Sequence, residues 1–433
     1  MAAFLPKGER VVTTAGAMET LRSGKRAGWA LAGSCGAIFW PGAFIFSLPG
    51  VLGETWQSSF GVGRAAVGRS MFFVLAAVGI FMFVVGRLQE RTGPGPLVAI
   101  GGLLCGFSTL FLGGASSMAW VYVWAFLVGA ASAFIYLPAL TVVQEWYPDR
   151  RGLVSGSVNL AFGLSAAVMA PLFSGLLRAA GPETMTMVFG AIAVISGLAV
   201  VPAIRRPEAG PATRGKANEG KTGFPKHVTV SESLRTRAFW CLWSVWALAG
   251  AAGISMVTLS TAFGAARGLS LQEAVVLLTA FNLTNGGSRL VSGYLSDRFG
   301  RRYVMGLSFA AAGLAYWGIP MVRGLVVWSG MAAVVGFAFG TLFSVSAPLA
   351  SDRFGLRHFG SIFGLIFTAY GFVAGPLGPW LSGFLLDIGG EAGFHFVFGY
   401  LGLCFFLSAL LIQLVGPVPS KGPEREGTGG SLQ

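Results

Sequence analysis

Twelve mostly apolar stretches of roughly twenty or more residues recur along this chain, and no soluble core could bury them all. They lie near 28–50, 66–86, 97–116, 119–142, 153–177, 183–203, 238–263, 272–296, 303–322, 325–348, 361–386 and 394–415. A helix needs about 20 apolar residues to cross a hydrocarbon layer ~30 Å thick, so each run is long enough for one crossing. Charged residues make up 11% of the sequence, against ~25% in a soluble domain. The chain therefore reads as an all-α polytopic membrane protein with twelve spanning helices. Prolines inside several runs (Pro41, Pro49, Pro138, Pro171, Pro348, Pro376, Pro379) are tolerated there because neighbouring helices re-satisfy the backbone.

The polar stretches divide the chain into a tail over 1–27, six runs over 28–203, a linker over 204–237, six runs over 238–415, and a tail over 416–433. Six crossings per half place both tails and the linker on one side. That side collects 24 of the 30 Lys and Arg residues, while Arg64, Arg69, Arg178, Arg267 and Arg323 fall on the other. Such an excess marks the cytoplasmic face. A multi-pass protein of the cell membrane with both termini in the cytoplasm is expected. The net charge of +13 is then a matter of topology, and no nucleic-acid partner is expected.

The halves repeat. Gly86-Arg87-Leu88-Gln89-Glu90-Arg91-Thr92-Gly93 follows the second run, and Gly293-Tyr294-Leu295-Ser296-Asp297-Arg298-Phe299-Gly300 follows the eighth, about 207 residues later. Gly152 and Gly156 open the fifth run as Gly360 and Gly364 open the eleventh, at nearly the same offset. Two independent pairs sharing one offset indicate duplication, a common origin of transporter halves.

The eighth run also holds Arg289, which alone among the Lys and Arg residues lies well inside an apolar run. Asn282, Asn285, Arg289, Ser292 and Ser296 recur three or four residues apart, so they share a helix face. Two readings stand for Arg289. It reaches back to the interface along its aliphatic stem, or it faces a watery path and grips a carboxylate with its planar fork. No Asp or Glu lies mid-run, which favours an anionic cargo over a cationic one. Arg69 is either interfacial or a guide for anions at the outer mouth.

Other signals carry less. Gly215-Lys216-Ala217-Asn218-Glu219-Gly220-Lys221-Thr222 fits a phosphate-loop pattern but lacks the strand before it, and Pro211 and Pro225 flank it. Cys35, Cys105, Cys241 and Cys404 sit in apolar runs, and His227, His358 and His395 have no partner at metal spacing. No cofactor, no metal and no enzymatic activity are expected.

At residues 293–302 the chain resembles the major facilitator superfamily, whose cytoplasmic signature Gly-x-Leu-x-Asp-Arg-x-Gly-Arg-Arg is matched in full. The first copy departs from it, with Glu90 for Asp and Pro94 where a basic residue is usual. The resemblance implies two pseudo-symmetric six-helix bundles with alternating access between them. It also implies a latch across the cytoplasmic ends, formed from Glu90, Arg91, Asp149, Arg150, Arg151, Asp297, Arg298, Asp352 and Arg353. Plain topology marking is the other reading of those charges. Tyr136, Phe339, Phe343 and Tyr370 belong to runs that line the cavity in this superfamily; singly each reads as a packing residue, and together they could wall a small anion.

Within the superfamily, residues 145–152, 285–289 and 367–371 look most like the oxalate/formate antiporter and monocarboxylate transporter group. The group's arginine on the eighth helix binds substrate carboxylate, and that role carries to Arg289. Oxalate carriers add a lysine on the eleventh helix, and the matching position here is Tyr370, which favours monocarboxylates. Animal monocarboxylate carriers place an Asp where Asn285 stands and a Lys on the first helix, which is missing here, so their proton relay does not carry over. The expected function is secondary transport of small organic monoanions (lactate, pyruvate, formate or the like), by proton symport or anion exchange. Arg289, Asn285, Asn282, Tyr370, Tyr136, Phe339 and Phe343 form the candidate binding site. The expected partners are the substrate, protons and the lipid bilayer, with the protein a monomer. The alternative is a carrier or exporter of another metabolite or drug, with Arg289 structural.

Overall fold

A computed structural model describes residues 14–207 and 228–416. The phosphate-loop pattern at 215–222, His227, most of the linker and the C-terminal tail lie outside the described residues. Ten described helices are long and apolar enough to cross a membrane. One of these, Arg151–Ala203, runs for 53 residues, about 80 Å at 1.5 Å per residue. It is broken at Gly181, whose φ of 81° is a left-handed value that only glycine adopts cheaply. It is thus two crossings. The helix Leu271–Phe299 is not among the ten, because its polar face lowers its hydropathy, yet it packs within the same bundle. Twelve crossings result.

We number them α1 (Thr14–Phe60), α2 (Ser70–Thr92), α3 (Pro94–Leu110), α4 (Met118–Trp146), α5 (151–180), α6 (182–199), α7 (Arg237–Ala266), α8 (Leu271–Phe299), α9 (Arg301–Gly318), α10 (Leu325–Phe354), α11 (Phe359–Gly390) and α12 (Ala392–Gln413). α1 starts at Thr14, inside the segment read from sequence as a polar tail; no proline interrupts residues 14–40, so helical bonding continues past the apolar run. α8 begins with a capping box, Ser270 and Glu273 each satisfying the other's backbone N–H. In α11 the prolines at 376 and 379 lack a donor, and the helix widens there into π turns over Tyr370–Ala374 and Pro376–Trp380. Such widenings often mark functional positions.

α1 to α6 pack together, and α7 to α12 form a second bundle. Contact between bundles runs through α2 with α11, α5 with α8, α5 with α10, and α4 with α11. Large apolar side chains such as Phe72, Leu283, Leu307 and Ile388 point outward and are exposed, a surface suited to lipid and untenable in water. The fold is an all-α multi-pass membrane fold.

Candidate functional site

The polar face of α8 is docked between α5 and α10. Ser288, Arg289, Ser292 and Ser296 are buried, Asn285 is half-buried and Asn282 is exposed. Ser292 Oγ meets Ser344 Oγ of α10 at 2.8 Å. Arg289 does not reach back to an interface: it is 3% exposed. Its Nη1 donates to the carbonyl of Asn159 on α5 at 3.0 Å, and Nη2 makes a long 3.4 Å contact with Asn285 Oδ1. The guanidinium carbon lies 5.0 Å from the ring centre of Phe343. Nε–H has no acceptor among the described residues. A buried donor left unpaired costs about 1–3 kcal/mol, and here that donor is Nε–H, while Nη1 and Nη2 are held by Asn159 and Asn285.

Aromatic side chains enclose this cation. Phe343 packs edge-on against Phe339 (5.2 Å), Tyr370 (5.5 Å) and Trp246 (5.0 Å). Phe367 of α11 joins Trp246 at 4.4 Å and Tyr136 at 6.1 Å. Tyr136 donates its hydroxyl to Asn159 Oδ1 at 3.0 Å. Both Tyr136 and Tyr370 lie close enough to Arg289 to feel its charge. The structure thus brings Arg289, Asn285, Tyr136, Phe339, Phe343 and Tyr370 into one cluster at the bundle interface, while Asn282 stands on an exposed part of α8. Two members were not singled out by sequence. Asn159 was legible as an amide inside the fifth apolar run, by the same reasoning that selects Asn285. Trp246 gave no signal, being one of 12 tryptophans; its indole N–H is buried and has no acceptor among the described residues.

The second cluster closes the bundles at the end that carries the repeated loops. Asp297 accepts backbone N–H bonds from Gly152 and Leu153 at 2.9 and 2.8 Å, on the first turn of α5, where the helix dipole favours an anion. Asp352 pairs with Arg151 at 3.1 Å and with Arg301, and Arg301 also holds Asp297 at 3.0 Å. Glu90 accepts from Ser361 Oγ at 2.6 Å and meets His358 Nδ1 at 3.0 Å. Helix backbones approach closely at these seams because Gly86 faces Gly360 and Gly152 faces Gly293 with no side chain between. A polar pocket of about 350 Å³ opens there, lined in part by Asp149, Asp297, Arg301, Asp352 and Arg353. Asp149 and Arg150 are exposed and, like Arg91, have no ion pair among the described residues; Arg298 lies over the ring of Phe299. Arg301, His358 and Ser361 enter instead. Arg69 is exposed just ahead of α2.

Comparison with known proteins follows the same lines. The family model described as Major Facilitator Superfamily matches residues 35–376, with a second match over 254–432. The oxalate:formate antiporter of Oxalobacter formigenes is 27% identical over 66% of this chain and 67% of its own. Monocarboxylate transporter 2 of Meriones unguiculatus is 24% identical over 86% of this chain and 80% of its own. Among solved structures, the fucose:proton symporter FucP of E. coli superposes with a TM-score of 0.66, covering 89% of this chain and 98% of that one at 17% identity.

Proposed function

We propose that this chain, which belongs to the Major Facilitator Superfamily and is a multi-pass membrane transporter, carries small organic monoanions by alternating access. The observation that carries the reading is Arg289: a buried guanidinium at the bundle interface, one edge bound to Asn159, the Nε–H without an acceptor among the described residues, and aromatic rings around it. A substrate carboxylate would complete that fork, Tyr370 and Asn285 would hydrogen-bond it, and the rings would contact its carbon body. One fixed cation matches one carboxylate, so lactate-, pyruvate- or formate-like monoanions fit better than a dianion. Similarity to an oxalate:formate antiporter and to monocarboxylate transporters supports the same class. Transport would run by proton symport or anion exchange. The excess of basic residues orients the closed, loop-bearing end toward the cytoplasm, with Asp297, Asp352 and Glu90 as its latch.

The test is uptake of labelled lactate, pyruvate, formate and oxalate into proteoliposomes with an imposed pH gradient. Arg289→Ala should abolish carboxylate uptake; full retention refutes the assignment. A second reading rests on the same arginine. Its bond to the Asn159 carbonyl and its place against Phe343 tie α5 to α10 through α8, a structural role compatible with a neutral or cationic cargo. Thermal-shift screening separates the two, since only carboxylates stabilise the protein under the first and other compounds do under the second.

A further inference from the structure

The two halves of the latch differ in one respect that bears on how opening is controlled. In each, the acidic residue of the repeated loop caps the helix that faces it across the bundles. Asp297 does so through backbone N–H groups of α5, while Arg301 of its own bundle steadies it, and none of these groups changes charge near neutrality. Glu90 does so through side chains: Ser361 donates to Oε1 at 2.6 Å, and His358, the N-cap residue of α11, stands 3.0 Å from Oε2. About a quarter of each side chain is exposed, 24% for His358 and 23% for Glu90, so protons reach the pair from the loop side.

We propose that His358 is a proton-operated lock on the α2–α11 seam: acid on the loop side strengthens its contact with Glu90 and holds that end closed. A neutral imidazole offers Glu90 one ordinary hydrogen bond. An imidazolium offers a charge-assisted bond to a carboxylate, roughly twice as strong. Charged groups on the surrounding elements are Arg87 and Arg91 on α2, Arg357 in the same loop, Arg353 at the end of α10, and Glu232 and Arg235 by the one-turn helix Val230–Leu234 that packs on α11. Arginine stays protonated and carboxylates ordinarily titrate near pH 4. Histidine is the residue type here that switches between pH 5 and 8. The sign follows directly. Closure is favoured below the imidazole's titration and weakens as pH rises through it. In the orientation proposed above, cytoplasmic acidification slows opening toward the cytoplasm, a brake on a carrier that delivers acid.

The experiment is hydrogen–deuterium exchange of the full chain in lipid nanodiscs at pH 5.5 and 8.0, reading peptides from the start of α11 and the end of α2. Comparing variant with wild type at equal pH cancels the intrinsic pH dependence of exchange. His358→Gln keeps a hydrogen-bond donor but cannot charge. It should raise exchange about two- to fivefold at pH 5.5, the range expected for a partly exposed ion pair, and by clearly less at pH 8.0. Glu90→Gln, which attacks the pair from the other side, should show the same pattern. Arg151→Gln, which breaks a non-titrating pair, should raise exchange by one factor at both pH values. A factor for His358→Gln that is equal at the two pH values, or larger at pH 8.0, overturns the proposal, as does a Glu90→Gln factor unaffected by pH. None of these outcomes depends on which substrate is carried.

Discussion

The backbone carbonyl of Asn159 accepts the Nη1–H of Arg289 at 3.0 Å, fastening α8 of one bundle to α5 of the other at the level of the aromatic cluster. An arginine so held presents a fixed orientation to whatever meets its remaining donors. Fixed donors give planar recognition of a carboxylate without the entropy cost of ordering a free side chain. Arg289→Lys should therefore fail almost as completely as removal. An ammonium can bind the Asn159 carbonyl or a substrate, and cannot offer a second parallel donor. We expect uptake of the preferred monocarboxylate to fall at least ~10-fold, which corresponds to about 1.4 kcal/mol, together with loss of carboxylate-induced thermal stabilisation.

Asn159 acts on Arg289 through its main chain and on Tyr136 through its side chain. Asn159→Ala keeps the first contact and loses the second, together with the Nδ2–H bond to the Ser155 carbonyl at 2.9 Å. Tyr136→Phe loses only the shared bond, from the other end. Tyr136→Phe should destabilise by about 1 kcal/mol, the net value of a buried hydrogen bond, and Asn159→Ala by about 1–2 kcal/mol. The double variant should cost clearly less than the sum, since both delete one interaction. Unfolding of purified protein with a four-member cycle measures this; strict additivity contradicts the geometry.

Much of the architecture was legible because lipid leaves the chain few choices. Apolar runs must be helices, and the signature at 293–302 with its copy at 86–93 fixes the twofold repeat. Arg289 was legible because a charge inside an apolar run is conspicuous. Its anchor was not, because a main-chain carbonyl carries no sequence identity. The latch partners were equally hidden: Arg151 and Asp352 are 201 residues apart, and only the packing of bundles brings them together. Arg91, Asp149 and Arg150, expected in the latch, make no ion pair among the described residues, whereas His358 and Ser361 meet Glu90 across the seam and Arg301 braces Asp297 and Asp352 within its own bundle. Asn282 lies two turns from Arg289 along α8 and is exposed.

Trp246 separates packing from polarity in the same cluster. Its ring touches Phe343, Phe363, Phe367 and Tyr370, while its N–H is buried without an acceptor among the described residues. Trp246→Phe discards the unsatisfied donor and keeps most of the ring contacts, so stability should change by less than about 1.5 kcal/mol, as for other near-isosteric swaps. Trp246→Ala leaves a cavity and should cost about 3–5 kcal/mol. Thermal unfolding in the same detergent compares the two; an equal loss for both contradicts the assignment of the ring as the stabilising part.

Close helix approach makes the seams sensitive to a single methyl group. A side chain at Gly156 would strike the backbone of Arg289 and Leu290, and one at Gly86 would strike Gly360 and Ser361. Neither obstacle is a flexible side-chain end, so the helices themselves must separate. Gly86→Val and Gly156→Val should shift the population toward an open loop end. Spin labels at exposed positions Arg150 and Arg298 should report a longer distance component in both variants than in wild type. An unchanged distribution would mean that the seam gives way locally.

Asp352 is the point through which two arginines from different bundles meet: Arg151 of α5 binds Oδ1 and Arg301 of α9 binds Oδ2. The three side chains are between 12% and 28% exposed, so each pair is worth up to about 1 kcal/mol and salt screens it. Asp297 is held differently. Its two backbone N–H bonds lie at a helix N-terminus and do not rely on a mobile cation. Asp352→Asn should therefore loosen the closed end most at low ionic strength and little at ~1 M salt. Asp297→Asn should loosen it at both, because the two N–H groups donate to different carboxylate oxygens and one of these becomes an NH2 that cannot accept. Hydrogen–deuterium exchange of peptides spanning 293–302, followed across a salt series, distinguishes these cases. A salt dependence shared equally by the two variants would show that Asp297 acts as one more member of the ionic network and not as a cap on α5.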